Sequence, residues 1–260
     1  MPLPPMFHDW VNVARQAMQP EDFPAATLGD LVARFIKMSI IAHTRKFRDG
    51  EAAVGQLLRK LLELDFALGS WVTSLDGIWR YKTLQAPNLP PSAVFGGEYH
   101  VYHDLWVARV WNHYRWARIL VNQVMLDMAA KYPLSSSPLT ADIAYKERFK
   151  TIKTEARNTL VSASCHWRHP LLSGKIGQQI EELGVGRLGS AGLPILLFQL
   201  KVAACAPGVP HEYWNWTYDI MNCIWGDMGM LHAKNMMDTM DAAALQRGTL
   251  VSYKRGSGST

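Results

Sequence analysis

Two residues four apart, His100 and Asp104, have the types and spacing for acid–base chemistry. On a helix they face each other across one turn. A carboxylate beside an imidazole raises its basicity and fixes its tautomer, which proton transfer can use. His103 offers the same chemistry, and Tyr114 adds a phenol. The alternative for the pair is a structural hydrogen bond within a polar stripe. His100 and His103 have no third ligand near them in sequence, so no metal centre is expected. Arg109, Trp111 and Asn112 follow on the same segment. Arg109 interrupts an apolar arc and must meet a carboxylate (Asp65, Asp219 or Asp227), backbone carbonyls or an anionic ligand.

A second aromatic run, Glu212 to Asp238, presents Tyr213, Trp214, Ile220, Met221, Ile224, Trp225, Met228 and Leu231 on one face. Asn215, Asp219 and Asn222 lie on the other, and His232 falls on the apolar side. That His is either a satisfied core residue or part of a Trp- and Met-walled pocket for a flat apolar molecule. The ligand-binding candidates are therefore Arg109, Trp111, Asn112, Asp219, Trp225, Met228 and His232.

Other chemistry is argued against. Cys165 and His166 are adjacent, so on a helix they point about 100° apart and do not share a proton. Gly184-Val185-Gly186-Arg187-Leu188-Gly189 lacks the preceding strand of a dinucleotide loop. Cys165, Cys205 and Cys223 have neither zinc-site spacing nor the even number of a disulfide framework. No cofactor is expected, and a reduced, intracellular (nuclear or cytoplasmic) location is.

Helices must position these groups. Apolar residues recur at helical spacing over Asp9–Met18, Leu28–Phe47, Glu51–Leu75, Glu98–Lys131, Ala141–His166, Gly177–Leu183, Pro194–Ala204 and Glu212–Gln246. Pro and Gly break the pattern between them, Pro20, Pro24 and Asp76-Gly77 included. No run of strands stands out. The reading is an all-α, irregular single-domain bundle over residues 1–254 with a disordered tail, 255–260, packed around a central buried helix at 98–131. Its hydrophobic content of 48%, ten Trp and twelve Met supply ample core. The net charge of +5 is scattered in Lys and Arg with no run of five, so no nucleic-acid face is expected. No stretch of about 18 apolar residues exists, and the first ten residues lack a secretory leader.

The stretch VFGGEYHVYHDLWVARVWNHYRWARILVN, Val94–Asn122, resembles the fungal-specific transcription-factor domain, the regulatory region of zinc-cluster activators. Leu64-Asp65 with Trp71, then Trp79-Arg80-Tyr81, resemble that family's "LD…W…LPPEWRY". Gly189–Ala206 and Asp227-Met228-Gly229-Met230 resemble its "GG…L…A…(E)MGI" region. Asp76-Gly77-Ile78 replaces the usual Pro-Pro-Glu, and Gly192-Leu193-Pro194 stands where an aromatic run is usual. The resemblance covers residues 60–240 and implies a helical regulatory domain. The family's six-cysteine zinc module cannot be built from three cysteines. Either the DNA-reading part has been removed or the chain is a stand-alone relative. Its implied roles are small-molecule sensing, protein interaction, or pairing with itself or a partner regulator, without specific DNA binding. The alternative is a cofactor-independent enzyme, a cyclase, isomerase or dehydratase acting on an apolar metabolite.

Overall fold

A computed structural model describes residues 18–44, 51–133, 142–172 and 190–246. Seven α-helices dominate them, as the periodicity predicts: α1 Phe23–Thr44, α2 Glu51–Ser74, α3 Leu105–Lys131, α4 Asp142–His166, α5 Leu193–Ala204, α6 His211–Met228 and α7 Leu231–Gln246. The expected helices Asp9–Met18 and Gly177–Leu183, the Gly184–Gly189 loop and the tail 255–260 lie outside or largely outside the described residues.

Four expectations are corrected. A two-stranded antiparallel sheet is present, β1 Lys82–Gln85 and β2 Glu98–Val101, in the register Thr83↔His100 and Leu84↔Tyr99. Alternating, aromatic and β-branched Glu98-Tyr99-His100-Val101 suits a pleated pair better than a helix. The central helix thus starts at Leu105, where Asp104 Oδ1 accepts from the Val107 amide at 2.8 Å as an N-cap. The C-terminal helix is two helices, because Gly229 takes a left-handed φ of 62° and ends α6. Pro24, read as a breaker, sits in the first turn of α1, where a missing N–H is harmless.

The chain divides into two compact units, Met1–Arg80 with Leu120–Arg148, and Tyr81–Ile119 with Phe149–Thr260. In the first, Leu61, Leu64 and Leu68 of α2 are wholly buried, each contributing roughly 1.5–3 kcal/mol. Trp71 and Trp79 donate their indole N–H groups to the Pro24 and Glu21 carbonyls at 2.8 and 2.7 Å, tying the start of α1 to α2 and its C-terminal turn. Asp65 accepts from Arg148 at 2.6 Å and from Asn122 at 2.8 Å. The second unit holds the sheet. Tyr99, Val94, Ala86, Ala93 and Leu172 form an apolar cluster beside it.

Candidate functional site

The first turns of α3 bring a polar centre into the second unit. Arg115 is fully buried, at 0% exposure. Its Nη1 donates to the Tyr102 hydroxyl at 2.6 Å and to Asn112 Oδ1 at 2.7 Å. The rings of Tyr81, Trp111 and Tyr102 stand 5.0, 5.5 and 5.7 Å from its guanidinium carbon. Such desolvated cation–π contacts are worth about 2 kcal/mol each. Ser162 also donates to Asn112 Oδ1, at 3.0 Å. Asn112 Nδ2 faces His166 Nε2 at 3.3 Å, which makes Nε2 the acceptor and leaves the proton on Nδ1. Burial, then the charges of Arg115 and Arg109, push His166 down to about 4. A Cβ at Gly192 would lie 2.8 Å from that Nδ1 and 2.9 Å from Leu105 Cδ1, so any larger residue would displace the His166 ring or the Leu105 side chain.

His100 belongs to the same centre. Its Nδ1 meets Thr83 Oγ1 at 3.0 Å across the β1–β2 pair, and its ring lies 4.4 Å from that of Tyr81. The Cys165 thiol donates to its carbonyl. Burial and then Arg115 push His100 down to about 2, and burial pushes Cys165 up to about 12. Both imidazoles are neutral and the thiol protonated at ordinary pH.

On another face of α3, Tyr114 donates to the buried Glu155 carboxylate at 3.3 Å and accepts from Arg118. Arg118 stands 3.8 Å from Glu155. Burial raises the Glu155 carboxyl above its ordinary value, although Arg115 and Arg118 oppose this.

The structure brings Trp111, Asn112 and His100 together, with Tyr114 one turn along the helix from Trp111. The others stay apart. His103 and Asp104 are exposed at the helix start, so the expected His100–Asp104 pair does not form: a strand residue and a helix cap do not share a helical face. Arg109 is half-buried, and Asp65, one of its expected partners, is taken by Arg148. Asp219 and Met228 are exposed, and Trp225 and His232 are half-buried. Trp106, although large and apolar, is 51% exposed. Glu155 was not singled out by spacing, because its partner Tyr114 lies 41 residues away. Arg115 was legible as a cation on a segment rich in aromatic residues, with Tyr102, Trp111 and Tyr114 close in sequence.

A cavity that touches the expected aromatic run at Trp214 lies elsewhere in this unit. A partly open hollow of about 230 Å³ lies between the loop Cys205–Pro210, the start of α6 and Ala243 and Ala244 of α7. Its aromatic wall is Trp214, stacked on His211 (centroids 5.6 Å apart, planes at 9°) and on Tyr218 (4.8 Å, 20°). The buried Trp214 Nε1–H has no acceptor among the described residues. Gly208, at a φ of 73°, keeps the loop close: a Cβ there would strike the Phe149 ring at 2.4 Å. Among the described residues no cluster of three or more His, Cys, Asp or Glu could hold a metal ion, and no helix is long and apolar enough to cross a membrane.

No protein-family model, no curated protein and no solved structure matches the chain.

Proposed function

We propose that the chain is a ligand-sensing helical domain, a stand-alone relative of the fungal transcription-factor regulatory domain acting inside the cell without a DNA-reading module. The resemblance at Val94–Asn122 supports this, since those residues form the Arg115 centre that organises the second unit. The observation that carries the ligand reading is the Trp214 cavity. It joins an aromatic side, Trp214, with small alanine and glycine sides, and the Trp214 indole N–H is buried without an acceptor among the described residues. A planar, mostly apolar molecule with one carbonyl oxygen matches it.

Coumarin is a suitable probe, and naphthalene is its partner without the oxygen. Coumarin should bind the wild-type chain more tightly than naphthalene does, in calorimetric or fluorescence titration. Trp214→Phe keeps the ring and removes the donor. It should weaken coumarin about tenfold, near the net value of one hydrogen bond, and leave naphthalene unchanged. No coumarin binding, or binding indifferent to Trp214→Phe, sinks the reading.

A second reading, a cofactor-independent acid–base enzyme, rests on Glu155, a buried carboxyl of raised pKa held by Tyr114. Turnover of a host metabolite lost in Glu155→Gln, with melting intact, would favour it.

A further inference from the structure

We propose that the groove between α1 and α2 docks an acidic amphipathic helix of a partner protein. The groove encloses about 430 Å³ in the first unit. On α1 it is lined by Arg34, Lys37, Met38 and Ile41, spaced i, i+3, i+4 and i+7, which is one helical face. On α2 the facing stripe includes Leu57 and Lys60. Its floor is apolar and its rim cationic, with Glu63 the sole acidic lining residue.

Charge decides the occupant. The groove is lined by three cations, Arg34, Lys37 and Lys60, against one carboxylate, Glu63. An anion is wanted at the rim. The floor argues against a nucleic acid, because Ile41 is 40% exposed and Met38 lies beneath it, surfaces that phosphates and sugars do not cover. An apolar floor between two helices with a charged rim is the receptor side of helix-in-groove recognition. The guest places leucine or phenylalanine at i, i+3, i+4 and i+7, and carboxylates on its flanks meet Arg34, Lys37 and Lys60. Met38 is unbranched and adapts to the side chain it meets.

The test uses the full chain and a fluorescent 18-residue peptide with leucines at i, i+3, i+4 and i+7 and glutamates on its flanks. A scrambled peptide of the same composition separates amphipathic recognition from charge. At physiological salt the patterned peptide should bind at least tenfold more tightly than the scrambled one. Both R34E/K37E/K60E and I41D should weaken it tenfold or more. These four side chains are exposed, so the variants should keep the parent melting temperature, and circular dichroism checks that they do. Equal binding of the scrambled peptide overturns the proposal. So does tighter binding of duplex DNA or phosphatidylserine vesicles, or a patterned peptide insensitive to I41D.

Discussion

Arg115 is a buried cation whose partners are phenols, an amide and π faces rather than a bonded carboxylate. Burying such a group costs several kcal/mol, and an apolar side chain of similar volume avoids that cost. Arg115→Met is therefore expected to change stability by less than about 1.5 kcal/mol. Arg115→Ala leaves a void among three aromatic rings and should cost about 3–5 kcal/mol. Urea melts of both variants measure this, and equal losses would mean that the charge itself holds the centre. The buried imidazoles set a pH dependence of definite sign. The unfolded chain takes up protons near the ordinary histidine value, 6.5, while folded His166 waits until about 4 and His100 until about 2. Over that window the unfolded state binds more protons, so stability falls as pH falls below 6.5, by up to about 1.4 kcal/mol per pH unit for each imidazole. Glu155, raised above its ordinary value, acts in the opposite sense just above 4.5. Denaturation at stepped pH should show the decline. In His166→Gln it should be shallower between 6.5 and 4, and an unchanged slope would show that His166 does not stay neutral in the fold.

At the scale of elements, the helix at Leu105 owes its start to one side chain. Asp104→Ala should cost about 1 kcal/mol through the lost cap on Val107. Gly229→Ala has open space for its methyl but an unfavourable positive φ, and should cost about 1 kcal/mol. Thermal melts of the two tryptophan variants separate the faces of α3. Trp111→Ala, at a site 6% exposed, should lose about 3–5 kcal/mol, and Trp106→Ala, at 51%, within about 0.5. These elements also mark how far the sequence could be read. The periodicity of Glu51–Leu75, Ala141–His166 and Pro194–Ala204 places α2, α4 and α5 within a residue at each end. It misplaced the start of α3 because Glu98–Val101 is apolar enough to continue a helical stripe, and only pairing with Lys82–Gln85, thirteen or more residues away, makes it a strand. Of the candidate site, Trp111, Asn112 and His100 were legible as polar and aromatic residues on one segment. Glu155, Ser162, His166 and Tyr81 were not, since what makes them neighbours is tertiary packing. The Trp214 cavity was legible only as aromatic density; its walls from Cys205–Pro210 and α7 carry no periodic signal.

For the molecule as a whole, the net charge of +5 is spread along the chain, while the polar centre of the second unit is buried. Contact with DNA should accordingly be electrostatic and without sequence preference, and affinity should collapse between about 50 and 200 mM salt. Electrophoretic mobility or anisotropy titration against two unrelated duplexes reads this directly, and a salt-tolerant preference for either would contradict it. Cys165 carries a different consequence. Buried at 2% exposure, donating to the His100 carbonyl and held as a thiol up to about 12, it cannot meet an alkylating reagent while the second unit is closed. Cys205 and Cys223 are partly accessible. Mass-resolved iodoacetamide labelling should therefore show two modifications early and a third that arrives only as fast as the protein opens. The chain carries its own clock for kinetic stability, and any ligand that seals the fold should be visible as a delay in that third step.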